Sequence, residues 1–201
     1  MTVGTEIHPD YADEPLEVGA RNLAVAARIG AAAQAFFFVA FFFAFFYLRT
    51  LDTNGRWNVH HLHPSRAYGI GVLVCVLVSV AATLFGAWST RSGNASGWRV
   101  GAGVAVLAGL AAVVVQCVQY TNLGFGAGDG SFASVFVGWT VLLAVNVLAV
   151  VYWLWVLLAE SLGRAGRTPE LIRPSAEALA LYWSVLGLIE VTAFILLYVV
   201  A

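Results

Sequence analysis

The sequence predicts an all-α polytopic membrane protein, a bundle of five transmembrane helices. Three observations carry that expectation. Of 201 residues, 61% are hydrophobic and only 10% are charged, whereas a soluble globular domain is about 25% charged. Mean hydropathy is +0.85. The apolar residues also gather into five long blocks, and a bilayer core about 30 Å thick needs about 20 apolar residues in a helix to cross it.

A polar, acidic N-terminal tail is expected over residues 1–22. Its first 20 residues carry Glu6, Asp10, Asp13, Glu14 and Glu17 and no basic residue. A secretory signal peptide starts positively charged and reaches its apolar run early, so the tail is not expected to be one. The transmembrane domain then fills residues 23–201, with helices at about 23–48, 67–88, 100–120, 132–159 and 176–201. Lipid offers no partner to backbone N–H and C=O groups, which leaves helices or a closed barrel. A barrel strand alternates in polarity over about 10 residues, and the run Ala35 to Phe46 (AFFFVAFFFAFF) does not.

Each block has a natural break. The first connection, RTLDTNGRWNVHHLHPSR, contains turn chemistry at Asn54-Gly55. STRSGNASG and NLGFGAGDG are short and rich in glycine. The fourth block, about 42 Å long as a helix, is expected to tilt or to project past the lipid. ESLGRAGRTPELIRP is polar, and Pro174 is expected near the start of the last helix. Trp57, Trp88, Trp98 and Trp183 fall near block ends, where tryptophan suits the interface. Gly71, Gly101, Gly103 and Gly109 permit close helix approach.

Charge bears on orientation and partners. The net charge of -1 supplies no basic field for nucleic acid. All the basic residues are arginine. Arg21, Arg28, Arg91, Arg99, Arg164, Arg167 and Arg173 fall on the side of the N-terminus, and Arg49, Arg56 and Arg66 on the other. This imbalance predicts a cytoplasmic N-terminus by the positive-inside rule.

The polar residues limit the chemistry. Haem and copper sites in a membrane core need histidine, cysteine or methionine on the helices. His8, His60, His61 and His63 all lie outside the apolar blocks, and Met1 is the sole methionine. No haem or copper centre is expected from this chain alone. His60, His61 and His63 form an HHxH cluster that reads as a solvated loop rather than a surface metal site, because acidic or cysteine co-ligands are not evident. Cys75 and Cys117 read as small buried hydrophobes. No GxxxxGK[ST], GxSxG or HExxH motif occurs, so nucleotide hydrolysis and the familiar hydrolase chemistries lack support.

Glu190 is the one acid deep inside a block. A charge at the bilayer centre costs about 2.5–3.5 kcal/mol on insertion scales, so the side chain should face the bundle interior. Two readings stay open: a proton-binding or subunit-contact residue, or a neutral carboxylic acid hydrogen-bonded to an amide. Gln34 and Asn146 lie at comparable depth and are the candidate partners. Gln116 and Gln119, three residues apart on one helix face, are expected to tie helices together. The phenylalanine-rich run of the first helix reads as lipid-facing and packing surface.

In order and spacing these features resemble subunit III of the haem–copper terminal oxidases, the cytochrome c oxidase subunit 3 family, in its short five-helix bacterial form. The likeness spans about residues 32–200. In the first helix, Gln34, Phe37, Phe38 and Arg49 stand where the family has an acid, FF and a basic residue. In the third, Gln116, Gln119, Tyr120 and Leu123 follow QxxEYxxL with glutamine for the acid. Gly130, Ser131 and Gly138 match the opening of the fourth, with Thr140 and Leu143 in place of its histidines. Tyr182 and Trp183 match the fifth, where Ser184, Gly187 and Glu190 replace His, Asp and Trp.

The resemblance implies a non-catalytic component of an aerobic respiratory oxidase in a bacterial plasma membrane. Haem and copper would sit in catalytic subunit I, beside subunit II; this chain would bind no cofactor, stabilise the complex and hold lipid between its helices. The family's buried acids are largely absent from their usual positions, and an amide such as Gln34 does not titrate as a carboxyl does. Proton uptake through those positions is therefore not expected. The alternatives are a subunit III-like accessory protein of nitric oxide reductase, and a small proton-coupled transporter using Glu190.

Overall fold

A computed structural model describes residues 15–52, 55, 57–58, 62–163 and 167–200. Among the described residues the fold is all-helical, with five helices long and apolar enough to cross a membrane. They are α1 (Leu16–Thr50), α2 (Arg66–Arg91), α3 (Ala95–Thr121), α4 (Ser131–Leu162) and α5 (Pro169–Phe194), which continues as a π-helical stretch, Ile195–Val200. Hydropathy located all five. The helices run past the expected ends because hydropathy marks only the lipid-immersed part, while the hydrogen-bonded spiral continues into the interface. The largest differences are at the N-terminal ends of α1 and α5, each seven residues earlier than expected. Residues 1–14 of the expected acidic tail lie outside the described residues, and residues 16–22 are helical.

Local chemistry accounts for the helix ends. Glu17 sits in the first turn of α1 and Arg49 in its last, so both charges complement the helix dipole. Asn94 caps α3, its side chain accepting from the Gly97 N–H at 2.9 Å. Pro169 opens α5, where its missing N–H costs nothing. Pro174 therefore lies inside α5 and not at its start. Gly130 precedes α4 with φ 129° and ψ 176°, a conformation open essentially to glycine.

α5 is the hub: it packs against α1, α2 and α4, while α3 packs between α2 and α4. α1 leans on α5 and α4 and leaves most of its aromatic face outward; Phe36, Phe37, Phe42, Phe43 and Phe46 are exposed, whereas Phe38 and Phe45 are buried. The tryptophans depart from the expected interfacial role. Trp57, Trp98 and Trp183 are buried, and of the four only Trp88 is exposed, at 63%. Position along a helix gives depth but not facing, and the earlier start of α5 moves Trp183 towards its middle. Cys117 is exposed and Cys75 only partly buried, which corrects the buried reading of Cys117.

α2 and α3 cross closely at Gly101. A Cβ there would lie 2.8 Å from the Ala82 carbonyl oxygen and from backbone atoms of Gly86, whereas one on Gly103 would meet nothing within 4 Å. Gly101→Ala should therefore destabilise the bundle by about 1–3 kcal/mol through overpacking against backbone. Gly103→Ala should be neutral or stabilising, by up to about 1 kcal/mol. Reversible unfolding of both variants in bicelles checks the pair; equal effects would refute the close crossing.

Candidate functional site

One cluster of interior polar side chains lies towards the end of the bundle where α1 ends and α2 begins. α3 presents Gln116 and Gln119 one turn apart, both buried. Gln116 Nε2 donates to Gln119 Oε1 at 3.1 Å. Gln119 Nε2 donates to Tyr198 Oη at 2.7 Å, and the Tyr198 hydroxyl also lies 3.0 Å from Gln119 Oε1, to which it can donate. Tyr198 stands in the π-helical stretch at the end of α5. Its ring lies so close to Gly69 of α2 that a Cβ there would come within 2.7 Å of it. Phe194 stacks on the same ring at 5.3 Å and Phe136 meets it edge-on at 5.6 Å. One phenol thus meets α2, α3 and α4.

Other ties repeat this logic. Tyr120 Oη donates to Thr140 Oγ1 at 2.9 Å, joining α3 to α4, and Thr140 Oγ1 donates to the Phe136 carbonyl at 2.8 Å. Trp183 Nε1 donates to Ser79 Oγ at 3.0 Å, and Ser79 donates to the Ala105 carbonyl at 2.7 Å. That chain crosses from α5 through α2 to α3. Asn146 donates to the Leu142 carbonyl at 2.9 Å and accepts from the Tyr182 hydroxyl at 3.4 Å. At the tail end of α1, Arg49 Nη1 donates to the Val200 carbonyl at 2.8 Å. Gly138 makes room for Phe41, whose ring a Cβ would approach to 3.3 Å. Gly130 and Ser131 open α4.

Glu190 is 9% exposed. It borders a cavity of about 10 Å³, room for about one water. The polar walls are Gln116 from α3, Thr140 from α4 and Tyr198; α2 contributes Gly69 and Val72. No hydrogen bond reaches the Glu190 carboxyl from another described side chain. The expected amide partners are elsewhere: Gln34 is half-buried on α1, and Asn146 is engaged with Tyr182. Equal depth on two helices does not make their side chains face one another, and the amide the fold brings to this cavity is Gln116.

The opposite end is charged. Arg91 and Arg173 both meet Glu177, at 2.9 and 3.0 Å, and Arg167 meets Glu160 at 3.2 Å. Arg99 Nη2 donates to the Ser161 carbonyl at 2.7 Å. His8, His60 and His61 lie outside the described residues, and His63 is exposed. Among the described residues, no three of His, Cys, Asp and Glu come together as a metal site would require.

The sequence points to Gln116, Gln119, Tyr120, Tyr182, Trp183 and Glu190 but not to Tyr198. A tyrosine in the last apolar block was visible. Its inward direction depends on the π-helical turn, for which the run ILLYVV offers no signal.

The fold and the interior define a polytopic helical membrane protein whose helices are joined by buried side-chain hydrogen bonds. No protein-family model matches the chain, and none of the curated proteins is detectably similar to it.

The Tyr120–Thr140 bond is the tie most open to a shape-conserving test. Thr140→Val removes the acceptor and leaves the Tyr120 hydroxyl without it. We expect a loss of about 1 kcal/mol, read by unfolding in bicelles. Tyr120→Phe in the same background should then cost nothing further. A second full loss would show that the bond does not form.

Proposed function

We propose that the chain is a non-catalytic, subunit III-like component of an aerobic respiratory haem–copper oxidase. It stabilises the catalytic subunit in a bacterial plasma membrane, with its N-terminus in the cytoplasm. The observation that carries this reading is the coincidence of two residue sets. Several positions on which the resemblance rests are also those that join helices: Tyr120 to Thr140, Gln119 to Tyr198, Trp183 to Ser79 and Tyr182 to Asn146. A set of side chains that hold a bundle together suits a stabilising subunit.

Further features support it. The exposed phenylalanines of α1 offer an apolar surface to a partner helix or to acyl chains. Beside them, a groove of about 280 Å³ runs between α1 and α5 over Trp139, lined by Phe38, Phe42, Leu188 and Ile189; such a groove suits a lipid tail. The four histidines fall outside the apolar blocks of the sequence, so haem and copper belong in the partner subunit in this reading. The seven-to-three arginine imbalance supports the orientation.

A second reading, a small proton-coupled carrier, draws on one observation: Glu190 borders an interior cavity. The two part on one substitution. Glu190→Gln should abolish transport in a carrier, but leave an accessory subunit assembled with a modest loss of complex stability.

Purification of the tagged chain from its native membrane in mild detergent should bring down a haem-bearing partner with oxidase absorbance. The chain expressed alone should fold and show no haem band. Stoichiometric haem on the isolated chain, or a native complex free of haem, would refute the oxidase reading.

A further inference from the structure

Two cavities at the polar end of the bundle meet at the same pair of residues. The outer one is a vestibule of about 360 Å³, lined by Leu62, His63, Pro64, Arg66 and Phe132 together with Leu197 and Tyr198. The inner one is the small space bordered by Glu190 and Gln116, and Leu197 and Tyr198 line it too. Leu197 and Tyr198, consecutive in the π-helical stretch, are the lining residues the two spaces share.

That stretch explains how consecutive residues form a wall. Leu196, Leu197 and Tyr198 are all buried. An α-helix advances each residue by about 100°, so three in a row rarely all face inward; widening the turn towards the π form allows it. Single π turns inside helices occur frequently at functional sites. Here the widening swings Tyr198 over Gly69 and onto Gln119.

The charged end behaves differently. Its large cleft, bounded by Glu17, Arg28, Arg91, Arg173 and Glu177, shares no lining residue with the inner cavity. Glu190 itself is more than nine-tenths buried and unpartnered among the described residues, and it borders a space that admits about one water.

We propose that Tyr198 closes a one-sided water route leading from the vestibule of His63 and Arg66 to the Glu190 carboxyl. In the closed state, the inner cavity holds a single water that Glu190, Gln116 and Thr140 can share. Rotation of the Tyr198 ring joins that water to the vestibule. The route opens on the face opposite the N-terminal end of α1. It depends on the bundle and not on the oxidase assignment, so either can fail without the other.

The test places a thiol at the end of the route. Cys75→Ala and Cys117→Ala remove the native thiols, and Glu190→Cys supplies the target in the full chain reconstituted in sealed vesicles. A membrane-impermeant anionic methanethiosulfonate is added from one side at a time, and His63→Cys in a parallel chain identifies the vestibule side. We expect position 190 to stay unlabelled with Tyr198 or with Tyr198→Phe, which keeps the ring. Tyr198→Ala should gain the label, from the vestibule side only. Should Tyr198→Ala lose its helical circular dichroism, Leu197→Ala opens the same partition and is read in its place. Labelling with Tyr198 intact, labelling from the Arg91 side, or no labelling in a folded chain with the partition opened would each overturn the proposal.

Discussion

A hydrogen-bonding side chain inside a bilayer finds its best partner within the protein, and most of this structure's interior follows from that constraint. Among the described residues the Trp98 and Trp139 indoles and the Glu190 carboxyl, which borders the small cavity, stand apart from it. Lipid leaves an unmet polar group at a cost of several kcal/mol. The interior of the bundle answers partly with bonds back to the same helix, as Thr83 makes to Ser79, and partly with bonds that cross between helices: Gln119 with Tyr198, Tyr120 with Thr140, Trp183 with Ser79. Hydrophobic burial gives little direction here, because lipid tails are as apolar as leucine. Close packing and these bonds set which helix faces which.

Close packing and polar bonding are linked along the chain. Glycine at Gly69 lets the Tyr198 ring lie against α2, and that placement brings its hydroxyl to Gln119. Gly101 brings α2 and α3 together, and across that interface Ser79 reaches the Ala105 carbonyl while accepting from Trp183. The ion pairs, by contrast, lie at one end and are partly exposed, with side-chain exposures of 33% to 58%. Pairs of that kind contribute little to stability; here they draw together the ends of α2, α4 and α5 outside the apolar zone.

The five helices were legible because long apolar blocks admit few other structures. Their faces were less so. Gln116 and Gln119 could be placed on one side of α3 by spacing alone, but that their partner would be Tyr198 depended on a π turn at the end of α5. Trp183 was read as interfacial from a block that began at residue 176; the helix starts at Pro169, and the indole stands buried at 0% exposure against Ser79. Glu190 was legible as an interior acid, since no other depth-matched carboxyl exists in the sequence. Its neighbours were not, because depth along one helix carries no information about rotation of another. The resemblance to an oxidase subunit rests on sparse positions, several of which the fold turns into ties between helices.

The most direct measurement of the central claim is a double-mutant cycle on Gln119→Leu and Tyr198→Phe, with unfolding free energies determined in bilayers. Mutual satisfaction inside the bundle predicts a coupling of about 0.6 kcal/mol, the average for interhelical hydrogen bonds in lipid, and at most about 1.7 kcal/mol. Strictly additive losses would mean that the two side chains do not depend on one another, and that the interior is not organised by polar pairing.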